Sequence, residues 1–330
     1  MKAIVVEQPG KDAVLRLAEV ERPALGAEDV RIGVVSTAVN RADLMQARGL
    51  YPPPPGASPL LGLECAGEVI EVGSNVGERF RRGDRVMALL AGGGYAEEVV
   101  VHHGSVMAVP PALDLVAAGG FPEVFLTVHS NVFWLGELAA GERALVHGGG
   151  SGVGTATIRM VREAGGSVLV TAGSDEKCRR CLELGATSAI NYRTEDFAQR
   201  VLDLTEGTGV DVILDSIGGS YLEGNLRCLA LGGRLVVIGL TGGSKATIEL
   251  ALLMLKRQKL IGSTLRARPV EEKQAIVASF RERFGAAVDA GRLAPVVDRV
   301  LPLAEAGEAH RLVASSEHFG KVILSVRSPA

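Results

Sequence analysis

The chain has 330 residues, 47% of them hydrophobic and 4% aromatic, with 42 glycines; that is apolar material enough for two buried cores, which excludes a disordered chain or a disulfide-stapled miniature. Its 35 Lys and Arg against 38 Asp and Glu leave a net charge of −3, with no basic arm or acidic tail to meet a nucleic acid or a membrane surface. The scattered Cys65, Cys178, Cys181 and Cys228, the start MKAIVVEQPGKD and the lack of a long uncharged apolar tract point to a cytoplasmic protein in a reducing compartment.

Up to about residue 120, short β-branched runs (KAIVVE, DVRIGVVSTAV, AGEVIEVG, GDRVMALL, YAEEVVV, VMAVP) alternate with Gly and Pro breaks, which predicts short strands in a barrel or sandwich. Within them Tyr51 to Pro59, YPPPPGASP, can form neither helix nor central strand, because proline lacks a backbone donor and fixes φ. It is a stiff surface loop that either punctuates the chain or walls a cleft.

From about Phe121 the rhythm becomes helix and strand in alternation. The apolar stretch EVFLTVHSNVFWLGEL leads to strand ERALVH, helix GVGTATIRMVREA, strand SVLVTAG, helix SDEKCRRCLELGA, strand SAINY, helix EDFAQRVLDLT, strand VDVILDS, helix GSYLEGNLRCLAL and strand GRLVVIG. In the first of these helices Val153, Ala156, Met160 and Ala164 share one face, with Arg159, Arg162 and Glu163 on the other, as packing on a sheet requires. Then come a strand KLIGSTLRA, a long helix from Val270 to about Ala290, and a last strand KVILSV that returns to the first domain. The predicted fold class is α/β, with a β-rich domain over 1–122 and 266–330 and a doubly wound parallel-sheet domain over 123–265.

In LVHGGGSGVGTA, Gly149, Ser151, Gly152 and Gly154 lie between a strand and a helix, which fits the dinucleotide fingerprint with serine in place of its middle glycine. Backbone amides at such a helix start can receive a pyrophosphate; the alternative is a turn that glycine serves only by packing tightly. The second strand ends in Ala172 and Gly173, where an NAD site carries the acid that binds the ribose hydroxyls. With Ser174, Lys177, Tyr192 and Arg193 close by, the expected ligand is NADPH rather than NADH. Lys177 is otherwise an ordinary solvated lysine, although a first helical turn mildly disfavours a cation.

The runs NRADLMQARGLYPPPPGAS, LGLECAGEV, LLAGGGYAE, GGGSGVGTA, VTAGSDEK, INYRTEDF, DSIGGSYLEGN and LTGGSKA resemble, over essentially the whole chain, the medium-chain dehydrogenase/reductase superfamily. The chain is most similar to the zinc-free quinone oxidoreductase branch that includes zeta-crystallin. The resemblance implies a GroES-like catalytic domain beside a Rossmann domain, reduction of quinones (preferably ortho-quinones) by NADPH, and a homodimer joined through the Rossmann sheets. Asn40 and Leu63 stand where zinc relatives carry a Cys and a His ligand, and the four-cysteine loop has no counterpart near 90 to 110, so no metal is expected.

By the same resemblance Asn40 and Thr127 approach the nicotinamide, Ser151, Gly152 and Val153 line the pyrophosphate turn, and Gly173, Lys177 and Tyr192 meet the phosphate end. Ile217, Gly218, Leu240 and Leu265 flank the cofactor, and Tyr51 stands at the mouth of the acceptor cleft. Tyr51, Asn40 and Ser151 are the catalytic candidates; Tyr51 is either a hydrogen-bond donor to the developing quinolate or an apolar wall. A quinone aromatises on reduction and so needs little Lewis-acid help.

The remaining candidates read as structural. Cys178 and Cys181 have C-x-x-C spacing but lack the neighbours of a redox site, Cys65 and Cys228 are small core residues, and His102 and His103, adjacent on a strand, should face opposite ways. His129, His147, His310 and His318 show no ligand-spaced partner. Two other functions fit the same sequence: an enal or enoyl reductase, and an NADPH-binding protein with a structural or regulatory role.

Overall fold

The computed structural model describes residues 1–327 and divides into two units, Met1–Leu126 with the chain from Leu265 onward, and Thr127–Thr264. The first unit is built on strands β1 (Lys2–Val6), β2 (Leu15–Glu19), β3 (Asp29–Ala38), β4 (Glu64–Val72), β5 (Arg85–Leu89), β6 (Glu98–His102) and β7 (Val106–Ala108). The second holds β8 (Arg143–His147), β9 (Ser167–Ala172), β10 (Ser188–Asn191), β11 (Val210–Asp215), β12 (Leu229–Val237) and β13 (Lys259–Gly262), after which β14 (Val297–Pro302) and β15 (Lys321–Ser325) complete the first.

Strand β3 is the spine of the first unit. From Val30 to Ala38 every residue is buried, including the polar Arg31, Ser36 and Thr37, so the exposure alternation of a half-solvated strand is lost. It pairs antiparallel with β4, β6 and β15, within a sheet of order β14-β15-β3-β4-β5-β7. One side carries Ile32, Val34, Val69, Val86 and Val106, the other Ile4, Leu61, Tyr95, Val322 and Leu324. At the register shift between Val34 and Ser36 the strands approach so closely that a Cβ on Gly67 would lie 2.1 Å from the Gly33 carbonyl oxygen; only glycine fits there.

In the second unit all six strands are parallel, in the order β10-β9-β8-β11-β12-β13. That is the doubly wound order, which reverses between β8 and β11 and opens a crevice at the strands' carboxyl ends. Helices Gly152–Glu163, Asp175–Leu184, Phe197–Leu204 and Leu222–Cys228 connect them, over a core that includes Leu145, Leu169, Ile190, Ile213 and Leu235. Among the described residues no helix is long and apolar enough to cross a membrane.

The α/β class and the two kinds of sheet match the sequence reading; several local assignments do not. β2 carries Arg16 and Glu19 and pairs only with β1, so it lacks the apolar run of a central strand. Helix Arg41–Ala47 begins with a capping box between Asn40 and Asp43, a signal legible as N-x-x-D. β14 and helix Ala306–Ser315 also went unforeseen. The helix expected to include Leu229 to Leu231 stops at Cys228, because Leu229 turns extended and pairs with Val210. In helix Gly152–Glu163 the buried face is wider than expected and runs through Thr155, Thr157, Ile158 and Val161, while Val153 is only half-buried and Ala164 is the cap.

The last strand is joined to the first unit by a buried ion pair: Lys321 Nζ lies 2.8 Å from Glu64 Oε1, with the side chains 3% and 0% exposed. Asn40 Nδ2 donates to the same oxygen at 2.9 Å, and the Glu123 N–H donates to Glu64 Oε2 at 3.0 Å. Removing one partner leaves an uncompensated buried charge, whereas removing both does not. Lys321→Met should therefore cost about 3–5 kcal/mol, and the added change Glu64→Leu should recover much of it; urea unfolding of the single and double variants checks this.

Candidate functional site

β8 runs directly into the glycines of the fingerprint. Ser151 is the extended N-cap of helix Gly152–Glu163, and its Oγ accepts the Gly154 N–H at 3.0 Å. Serine at the fingerprint's middle position therefore builds the helix start and keeps its own hydroxyl proton to donate. A Cβ on Gly154 would sit 2.3 Å from the Gly148 oxygen and one on Gly149 2.7 Å from Val170, so both glycines are required for the turn to pack on the sheet. The amides of Gly152 and Val153 fall in the first helical turn, where backbone donors have no intrahelical acceptor and suit an anion.

At the end of β9 a Cβ on Gly173 would lie 2.6 Å from the Tyr192 hydroxyl; the missing side chain is what lets that phenol lie across the strand end. Ser174 caps helix Asp175–Leu184, its Oγ accepting the Lys177 N–H at 3.3 Å. Asp175 is drawn toward β10, where Asn191 Nδ2 donates to it at 2.7 Å. Gly173, Ser174, Lys177 and Tyr192 thus gather at the carboxyl ends of β9 and β10. After β11, Ile217 and Gly218 form a turn whose amides donate to the Asp215 carboxylate; a Cβ on Gly218 would lie 2.9 Å from Leu240, which brings those three residues together. Thr127 is buried in the same unit, and its carbonyl accepts from Asn131 Nδ2.

Beneath these loops runs a polar chain that the sequence reading missed. Asn225 Nδ2 donates to Asp215 Oδ2 at 3.1 Å, so its Oδ1 accepts from His147 Nε2 at 2.7 Å, and His147 Nδ1 accepts from the Thr171 hydroxyl at 3.1 Å. The donors fix one imidazole tautomer. Burial pushes His147 down to about 4, against the Asn225 hydrogen bond, so the ring is neutral at pH 7. The chain ties β8, β9 and β11 at the crevice. His310 also has a partner: its Nε2 meets the Tyr95 hydroxyl at 3.2 Å, which reaches Asp43 at 3.3 Å. Neither contact follows from ligand spacing.

In the first unit Asn40 donates to Glu64, and its Oδ1 accepts from Lys321 Nζ at 2.7 Å. Leu63 is buried at 1% exposure and offers no ligand atom. The donor set at these two positions does not fit a catalytic zinc. Tyr51 is half-buried, and its ring faces the Arg266 guanidinium with 5.3 Å to the ring centre. Burial raises its phenol above the usual value while the Arg266 charge opposes that rise. Glu123, within the influence of Tyr51, Arg266 and Lys273, is pushed up to about 8, by burial first and then by Glu64. Leu265 is buried where the chain re-enters this unit.

His102 and His103 do not face apart. β6 ends at His102 and a 3-10 turn begins at His103, so strand alternation stops between them and the rings stack with centres 4.5 Å apart, close to Glu28. Both rings use Nδ1 as an acceptor, from the Gly104 N–H and from Arg79, which places the imidazole protons on Nε2, against metal ligation. Cys178 and Cys181 are buried thiols, and burial pushes Cys181 up to about 12, away from the reactive thiolate range.

Residues 152–281 match the zinc-binding dehydrogenase family and residues 26–111 the alcohol dehydrogenase GroES-like domain. The chain is 32% identical over 98% of its length to the quinone oxidoreductase of Rattus norvegicus, of which it covers 97%. It is 31% identical over 97% of its length to a phenolphthiocerol/phthiocerol polyketide synthase of Mycobacterium tuberculosis, but spans only 14% of that protein. Among solved structures, the Escherichia coli quinone oxidoreductase complexed with NADPH superposes with a TM-score of 0.85 at 26% identity, over 98% of this chain and 99% of that one. CurK enoyl reductase superposes with a TM-score of 0.86 at 28% identity, over 99% of each chain.

The neutral His147 gives a stability test. Its folded value, about 4, lies below the unfolded value near 6.5, so the unfolded state takes up a proton first as pH falls. The ring's contribution is complete above about 6.5 and is lost toward 4, at about 1.4 kcal/mol per pH unit. In urea unfolding between these limits, the stability advantage of the wild type over His147→Gln should shrink as pH falls, and it should be constant above pH 7.

Proposed function

The chain belongs to the medium-chain dehydrogenase/reductase superfamily, in its quinone oxidoreductase branch, and from that premise we propose that it is a cytoplasmic, metal-independent NADPH:quinone oxidoreductase that prefers ortho-quinones. The observation that carries this reading is the pair of positions where zinc relatives hold their ligands. Asn40 is bound into the Glu64–Lys321 group and Leu63 is apolar and buried, so the acceptor has to be one that needs little carbonyl polarisation. A quinone meets that condition.

The second unit fits the cofactor, because the close approaches that require glycine at 154, where the turn packs on the helix start, and at 173, where Tyr192 crosses the end of β9, are those of a nucleotide-binding turn and of a strand end without a carboxylate. NADPH, when bound, supplies the hydride at its nicotinamide ring. Ser151, Gly152 and Val153 would hold the pyrophosphate between Gly149 and Gly154; Gly173, Ser174, Lys177 and Tyr192 would hold the ribose phosphate, with no carboxylate at the end of β9 to repel it. Ile217, Gly218, Leu240 and Leu265 would flank the rest, and Asn40 and Thr127 the nicotinamide. Tyr51 orients the acceptor, as hydrogen-bond donor or as wall. The overall change consumes one quinone, one NADPH and one proton and yields hydroquinone and NADP⁺. Orientation and exclusion of water are the protein's main contributions.

A homodimer through the Rossmann sheets is part of this reading. β13 is an edge strand, and helix Leu250–Leu255 exposes Leu250, Met254 and Leu255 at 68%, 76% and 76%. An unprotected edge beside an apolar patch is what a partner copy would cover. Met254→Asp should shift the protein toward monomer in sedimentation.

The similarity to CurK enoyl reductase favours a second reading, hydride delivery to an activated alkene. Nicotinamide absorbance separates the two when chelator-treated protein meets NADPH or NADH with an ortho-quinone, a para-quinone or an enal. NADPH loss with the ortho-quinone, little with NADH or the enal, is expected; enal turnover alone would promote the second reading. Loss of one charge-assisted contact in Lys177→Ala should raise the NADPH KM about tenfold or more with the NADH KM unchanged, and equal losses would remove the phosphate-pocket assignment.

A further inference from the structure

Arg266 lies at the first turn of chain after the return to the first unit and is 4% exposed. Its guanidinium spends every edge on a separate segment. Nε donates to the Ala91 carbonyl at 2.8 Å, NH1 to the Tyr51 carbonyl at 3.2 Å and NH2 to Gln46 Oε1 at 2.6 Å. Gln46 passes the tie onward, since its Nε2 donates to the Pro59 carbonyl at 2.8 Å. Tyr51 and Pro59 are the two ends of the proline loop, so one arginine–glutamine pair holds both. The backbone of Arg266 is itself anchored by Lys273 Nζ, which donates to its carbonyl at 2.7 Å.

The same guanidinium packs against the Tyr51 ring. A planar cation on one ring face fixes the plane of the phenol and leaves the opposite face and the hydroxyl edge for a ligand. Four consecutive prolines, Pro52 to Pro55, make the loop stiff, so fixing its ends fixes its course.

We propose that Arg266 is the positioning residue of the Tyr51 wall: with Gln46 it clamps both ends of the proline loop and sets the orientation of Tyr51, and thereby the selectivity for flat aromatic acceptors over open-chain ones. The proposal rests on the reading of Tyr51 as part of the acceptor site. Arginine's planar fork is essential to it, because lysine would supply the charge with only one of the three directions.

The test uses the full-length protein with Arg266→Met, Arg266→Lys, Gln46→Leu and Tyr51→Leu. Hydrogen exchange, read by mass spectrometry on the segment from Leu50 to Leu61 without any substrate, should rise about tenfold in Arg266→Met and Gln46→Leu. NADPH affinity should stay within about twofold. With the ortho-quinone, KM should rise about tenfold in Arg266→Met and less in Arg266→Lys, a size in keeping with a misplaced positioning group. Once Tyr51 is leucine, Arg266→Met should add little. Unchanged loop exchange, or a KM effect that persists in full without Tyr51, would overturn the clamp. If Arg266→Met does not fold, Gln46→Leu carries the same comparison. Exchange increases in Arg266→Met and Gln46→Leu, beside a wild type that turns over no quinone, would refute the acceptor reading and leave the clamp standing.

Discussion

A carboxylate and an ammonium shut away from water hold the first unit together. Glu64 opens β4 and Lys321 opens β15, more than 250 positions later in the chain, and neither is tolerable alone in a buried setting. Around them Asn40 and the Glu123 amide complete the hydrogen bonds. The pair closes the first unit across the whole intervening domain, and it fixes the Asn40 side chain at the position where zinc relatives place a ligand. At these two positions, Asn40 and Leu63, the chain has a satisfied polar group and a buried apolar side chain.

The nucleotide half is organised by absences. Gly154 and Gly173 are needed because backbone at one and a phenol at the other occupy the space a Cβ would take. Where a carboxylate would have selected one cofactor, a tyrosine lies over a glycine. Polar order is supplied from below by the chain from Thr171 through His147 and Asn225 to Asp215, whose imidazole is kept neutral by burial, with the Thr171 hydroxyl as donor on one side and the Asn225 carbonyl oxygen as acceptor on the other. The loops of the crevice grow from strand ends that are tied to one another beneath it by hydrogen bonds.

The two units thus hold their functional groups by different means. In the second, loops are pinned by caps and by glycine packing within a few residues of each other. In the first, distant segments meet through long side chains, and Arg266 alone joins residues near positions 46, 51 and 91. That difference explains which features could be read from the chain. The fingerprint turn, the glycine at the end of β9 and the alternation of strand and helix are local patterns with fixed spacing. The helix cap at Asn40, with Asp43 three residues on, is equally local.

The sequence by itself determined the fold class, the return of the last strand to the first domain, the glycine turn and the family, because periodicity, turn chemistry and motif spacing are properties of neighbouring residues. Tertiary structure alone decided that Lys321 neutralises Glu64, that His147 is a buried neutral link and that His102 and His103 stack. It also decided that Arg266 lies against Tyr51. Each of these depends on residues far apart in the chain, or on where a strand happens to end, and no spacing rule encodes a contact made only when burial brings two distant polar groups together.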